Sequence, residues 1–279
     1  MQLAYTLVVL TKWRFQMFGR RKIAALVAEF VGTGALTLLI LSVQRSTIGV
    51  PFFVAAAAGL TVSLMTFAAY RVSGAQFNPA LTLALFTARR ISAYKALLYI
   101  LVQFAGALAA SALYVYLVKN HLKDIPSKFD YRIFTAEVVG TALFAFAFTA
   151  AHYQRLAVGA AAAVAGLAYM VGSIAASPAS LGLINPAVAL GVHAFIVKIY
   201  LAGPIVGALV GVQLYSLLFA GTESPVHGDA DTSVAALQSK VGKDADVTQT
   251  TVTTVKPAVR KPRVAKTGVS KTKTTKRVK

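Results

Sequence analysis

Two tripeptides in this sequence can do chemistry that its other residues cannot: Asn78-Pro79-Ala80 and Asn185-Pro186-Ala187, with the asparagines 107 residues apart. The first follows Ser73-Gly74-Ala75-Gln76-Phe77, the second follows Gly182-Leu183-Ile184, and both lead into apolar, helix-compatible residues. An asparagine ahead of a helix caps the first unbonded N–H groups through its side-chain oxygen. Proline fits the first helical turn, where its missing N–H costs nothing, and alanine keeps the contact small. The cap also orients the amide so that its NH₂ donors can face a passing oxygen. If two such helices begin at the middle of a membrane and meet N-terminus to N-terminus, their dipoles put positive potential there. That potential repels cations, hydronium included, while the amides can donate to a neutral solute. One tripeptide would be only a helix cap; two at matching positions form a paired site.

The elements that must position this pair are apolar. Hydrophobic residues make up 57 % of the 279 residues and charged residues 13 %, against about one-quarter charged in a soluble domain. With a mean hydropathy of +0.67, the class is an integral membrane protein. The net charge of +19 first suggests nucleic acid, but residues 222–279 hold 12 of the 28 Lys and Arg and the others flank apolar segments. There is no cysteine, so disulfides and thiolate metal sites are excluded. No nucleophile–base pair or metal-ligand cluster is visible, so nothing indicates an enzyme, a metal or a cofactor. Residues 1–10 lack a basic region before their apolar run and do not read as a signal peptide.

In chain order the pattern predicts full spans over 22–43, 50–70, 94–118, 132–152, 156–176 and 199–220. Short segments over 78–88 and 185–195 cover about half of a ~30 Å core. The order is span, span, half-helix, span, and then the same again. Ala28-Glu29-Phe30-Val31-Gly32-Thr33 returns as Ala136-Glu137-Val138-Val139-Gly140-Thr141, with Glu137 108 residues after Glu29. Three full spans per copy make the second copy enter from the opposite side. The fold class is therefore an all-α membrane protein: six transmembrane helices plus two re-entrant half-helices in an inverted repeat, with its site at the midplane. Residues 1–21 form an N-terminal segment, 22–220 the membrane domain (repeats 22–118 and 132–220), and 221–279 a tail.

Glu29 and Glu137 are the only acidic residues inside the spans. Intramembrane carboxylates often mark proton pathways; one per repeat favours a structural role, accepting N–H bonds from the irregular stretch before each half-helix. Gln103 is read the same way. His152 reads as ordinary surface, and His193 as lying near the outer mouth. Basic residues gather on the side of both termini, which places both in the cytoplasm. Residues 256–279 hold ten basic and no acidic residues, a block expected to be disordered. Anionic lipid is the favoured partner of that block, a tail without specific role stands close behind, and nucleic acid is the weakest alternative.

These segments resemble the major intrinsic protein family, the aquaporins and aquaglyceroporins, over roughly 22–220. The resemblance rests on the two Glu-containing runs, the two Asn-Pro-Ala regions and Gln103-Phe104-Ala105-Gly106-Ala107. It implies a homotetramer with one pore per subunit and passive transport of water or small neutral solutes. In most of the family an arginine follows the second Asn-Pro-Ala and forms part of an outer constriction; here that position is Val188. The other constriction positions fall on Ala58, Ser173 and Gly182. Small residues at all four predict a wide, weakly polar filter passing water and also glycerol, urea or a similar molecule. Without the guanidinium, Ser173 and backbone carbonyls must orient the solute. Two other classes stay open: a non-transporting membrane scaffold whose basic tail recruits lipid or nucleic acid, and a coupled transporter, which would need an ionisable residue facing its substrate.

Overall fold

The computed structural model describes residues 19–125, 128–194 and 196–219. The tail 221–279, most of the segment 1–21, and the lipid and nucleic-acid expectations attached to the tail lie outside the described residues. Contacts divide the chain into Met1–Ser224 and Pro225–Lys279; the description that follows is of the first unit.

Among the described residues six helices are long and apolar enough to cross a membrane: α1 (Arg20–Gln44), α2 (Pro51–Ala69), α4 (Ala93–Val118), α5 (Tyr131–Tyr153), α6 (Val158–Ala176) and the stretch Val197–Leu218, which contains α8 (Ala202–Leu218). At 1.5 Å per residue even the 19-residue helices reach about 28 Å. Two short helices, α3 (Pro79–Thr87) and α7 (Pro186–Gly191), interrupt the series. Large apolar side chains such as Leu60, Leu64, Phe67, Leu117 and Leu217 stay exposed, as suits helices bathed in lipid. The protein is a multi-pass membrane protein.

Packing repeats with the sequence. α1 lies against α4 as α5 lies against α8, and α2 pairs with α6 across the repeats. Each half-helix also touches the last long helix of the other repeat, α3 on α8 and α7 on α4. Small residues permit these approaches. A Cβ on Gly106 would strike the Phe30 carbonyl of α1, and one on Gly166 would strike the Gly59 carbonyl and the Ser63 hydroxyl of α2. In α8, side chains on Gly207 and Gly211 would strike the Val138 and Ala142 carbonyls of α5.

Three departures from the pattern reading have a physical cause. The first half-helix begins at Pro79 because Asn78 is extended and serves as its cap. The second stops at Gly191, short of the expected 195. Left-handed His193 (φ 63) turns the chain there, and Ala194 N–H closes on Ala189 O at 3.0 Å. The first half-helix ends the same way, with left-handed Arg89 and Arg90 N–H on Leu85 O at 2.8 Å; such six-to-one closure satisfies a helix's last carbonyls. The last span is also not uniform: Val197–Leu201 is a π-helical turn ahead of α8. Pro204 explains it. Its ring would clash with the carbonyl four residues back and offers that carbonyl no N–H, so the turn around Tyr200 widens.

Candidate functional site

The site is built from the two segments that precede the half-helices. Both run through left-handed residues: Gly74, Ala75 and Phe77 (φ 94, 54 and 50) in the first, Gly182 and Ile184 (φ 64 and 43) in the second. A left-handed β-branched isoleucine is unusual and persists only where its surroundings impose it. Here a buried carboxylate does so. Glu29 accepts from Gln76 N at 3.0 Å, Phe77 N at 2.7 Å and Gln103 Nε2 at 2.8 Å. Glu137 accepts from Leu183 N at 3.2 Å, Ile184 N at 2.8 Å and the Ser180 hydroxyl. Alternating handedness turns consecutive N–H groups to one side, and in each repeat the carboxylate collects them.

Asn78 Oδ1 then accepts from Ala80 N at 2.9 Å, and Asn185 Oδ1 from Ala187 N at 3.0 Å. Each cap also accepts a longer bond, from Leu81 N and Val188 N, both at 3.4 Å. The amide nitrogens cross over. Asn78 Nδ2 donates to Ile184 O at 2.9 Å and Asn185 Nδ2 to Phe77 O at 2.8 Å. The NH₂ groups are thus not wholly turned to a pore: one N–H of each ties the two repeats together, and the Asn185 side chain also engages the Tyr169 hydroxyl. Pro79, Ala80, Pro186 and Ala187 are buried behind the junction.

The four filter candidates lie in three elements and one loop. The Ser173 hydroxyl, on α6, donates to Gly182 O at 2.7 Å, so it can accept from a solute but has no proton to give. A Cβ on Gly182 would run into the Ser173 carbonyl. Ala58 on α2 and Val188 on α7 join the buried apolar cluster that includes Val54, Val62, Phe144, Tyr169 and Val192. Val188 is 0 %, Ala58 1 % and Ser173 4 % exposed. The small side chains at these positions are thus buried among apolar neighbours.

Four residues acquire contacts that the sequence reading did not assign. Tyr169 Oη donates to Leu183 O at 2.7 Å and Tyr99 Oη to Ser73 O at 3.0 Å. His152 is partly buried, its ring stacked on Phe148 with centroids 4.2 Å apart and its Nδ1 3.0 Å from Phe148 O; it is not simple surface. The signal was the spacing of Phe144, Phe148 and His152 on one face of α5. His193 Nδ1 lies 3.1 Å from Asp124 Oδ1, and its carbonyl accepts from Ile125 N at 2.8 Å. No group of three or more His, Asp or Glu able to hold a metal occurs among the described residues.

The family model described as "Major intrinsic protein" matches residues 16–215. The chain is 30 % identical over 209 residues to "Putative aquaporin NIP4-1" of Arabidopsis thaliana, an alignment covering 69 % of this chain and 74 % of that protein. It is 30 % identical over 224 residues to "Aquaporin Z" of Photorhabdus laumondii, covering 70 % of this chain and 97 % of that one. Among solved structures, the aquaglyceroporin from Plasmodium falciparum superposes with a TM-score of 0.60 at 18 % identity, covering 71 % of this chain and 96 % of that chain; this similarity supports the fold.

Proposed function

This chain belongs to the major intrinsic protein family, whose aquaporins are channels and not enzymes, and from that premise we propose that it passes water and small neutral solutes such as glycerol or urea down their gradients. The observation that carries this reading is the junction of Asn78 with Asn185. Two helix N-termini from opposite repeats meet there, each capped by an asparagine side chain, and the second N–H of Asn78 is left for a solute. The paired dipoles disfavour a cation at that point.

In this reading Ala58, Ser173, Gly182 and Val188 form the outer constriction. With valine at 188 there is no fixed guanidinium to exclude solutes larger than water. Because these residues are buried, solute size is governed by how far small apolar neighbours yield. Glu29 and Glu137, whose carboxylates accept from the motif-bearing segments and Gln103, hold the two segments and take no part in coupling. Residues 22–220 form the channel domain, 221–279 a basic tail meeting membrane lipid, both termini lie in the cytoplasm, and four copies assemble with one pore each. The test is osmotic and isotopic flux in reconstituted vesicles. Downhill flux above that of empty vesicles, unchanged by imposed proton or sodium gradients, is expected; gradient-driven accumulation would convert the reading to a coupled transporter.

A further inference from the structure

The inverted repeat is close enough to be used position by position. α2 (Pro51–Ala69) and α6 (Val158–Ala176) have the same length, and their ends are offset by the 107 residues that separate the two asparagines. Gly59 and Gly166, related by that offset, touch one another. The same offset places Thr66 opposite Ser173, Val62 opposite Tyr169, and the pair Ala75 and Gln76 opposite Gly182 and Leu183.

The two halves differ at these positions. In the second repeat the hydroxyls of Ser173 and Tyr169 donate to the carbonyls of Gly182 and Leu183. In the first repeat the tyrosine's counterpart is Val62, which has no hydroxyl. The serine's counterpart, Thr66, is 0 % exposed, and its Oγ1 has no hydrogen-bond partner among the described residues. Among the described residues the carbonyls of Ala75 and Gln76 accept from no donor either. A buried hydroxyl left unpaired costs about 1–3 kcal/mol, and each such group in a native structure needs an explanation. Thr66 stands on the stripe of α2 that carries Ala58, eight residues earlier, with Val62 between them; all three are buried.

Resting on the channel reading above, we propose that Thr66 Oγ1, with the carbonyl oxygens of Ala75 and Gln76, is a solute-binding station in the first-repeat half of the pore, across the asparagine junction from Val188. A hydroxyl that both gives and accepts, facing two acceptors by the repeat's symmetry, suits a polyol or an amide: a neutral molecule with its own O–H or N–H groups. The outer half, where Ser173 and Tyr169 engage the carbonyls, holds such a molecule less well. Transport specificity is then set at two levels, size at Val188 and hydrogen bonding at Thr66.

The experiment compares glycerol and water permeability of the full chain in proteoliposomes for wild type, Thr66→Val and Thr66→Ser. Valine keeps the shape and removes an unpaired hydroxyl, so this variant should melt in detergent no lower than wild type. Glycerol permeability should fall about fivefold in Thr66→Val, as for loss of one hydrogen bond, with water permeability within about twofold by the same reasoning, and Thr66→Ser should restore it. Unchanged glycerol flux in Thr66→Val overturns the station, as does an equal loss of water and glycerol or a lowered melting temperature, which would reveal a protein partner for the hydroxyl. Wild type that conducts water but excludes glycerol overturns the station and leaves the channel standing; wild type that conducts neither overturns the channel itself.

Discussion

Asn78 and Asn185 each bond to the carbonyl of the residue that precedes the other: Asn78 Nδ2 to Ile184 O at 2.9 Å, and Asn185 Nδ2 to Phe77 O at 2.8 Å. The same two side chains cap the half-helices through Oδ1. Each amide is therefore both a helix cap and a tie between repeats.

Replacing either asparagine by alanine should destabilise the protein by about 2 kcal/mol, from the lost cap and from a carbonyl left without its donor. The double variant should cost less than the sum of the two, because both changes open the same junction. A double-mutant cycle of unfolding in detergent or bilayer measures this; strict additivity would mean that the crossed bonds carry no coupling.

Glu137→Ala should be worse than Glu137→Gln. Alanine leaves Leu183 N, Ile184 N and Ser180 Oγ without an acceptor, whereas glutamine keeps one oxygen. Bonds to a charged group contribute about 1.5–3 kcal/mol each, so the alanine variant is expected to fold poorly and the glutamine variant to retain flux. Equal expression and stability of the two would contradict this role for the carboxylate.

Two glycine substitutions should separate sharply. Gly166→Ala drives a methyl into the Gly59 carbonyl and the Ser63 hydroxyl across the α2–α6 contact, while Gly159, on the same helix, meets nothing within 4 Å. Overpacking at Gly166 should cost about 1–3 kcal/mol. Gly159→Ala should be neutral or stabilising by up to about 1 kcal/mol. Thermal unfolding of both variants in one detergent reports the difference.

Asp130 caps α5, accepting from Arg132 N at 2.7 Å and pairing with its guanidinium at 2.9 Å. The side-chain bond from Arg132 holds the carboxyl below its ordinary value. A carboxyl whose value is lower folded than unfolded contributes stability that is present above the unfolded value and lost as pH falls through the folded one. Asp130→Asn keeps a capping oxygen and should remove that acid dependence without preventing folding; pH titration of the melting temperature follows it.

The sequence alone made the six spans and two half-helices legible, since apolar length and the two tripeptides are local signals. Other features depended on contacts between distant residues. Nothing in Phe77 or Ile184 announces a left-handed backbone; glutamates 48 and 47 residues away impose it through N–H bonds. The crossing of the amides required both loops in place. Pro204 was visible in the last span, yet whether a proline kinks, breaks or widens a helix depends on its neighbours. The Ser173 hydroxyl looked available to a solute because its acceptor, Gly182 O, comes from a loop nine residues later. Val188 as an apolar residue was legible; its complete burial followed only from the cluster around it.

Stopped-flow light scattering on proteoliposomes tests whether valine at 188 leaves the filter open to small neutral solutes. Water, glycerol and urea would be compared for wild type beside Val188→Arg. Glycerol or urea entry well above that of empty vesicles is expected in wild type, reduced about tenfold or more in Val188→Arg by the bulk and fixed charge of the guanidinium, with water conducted by both. Fast water flux with no solute entry in wild type, or solute entry indifferent to the arginine, would contradict it.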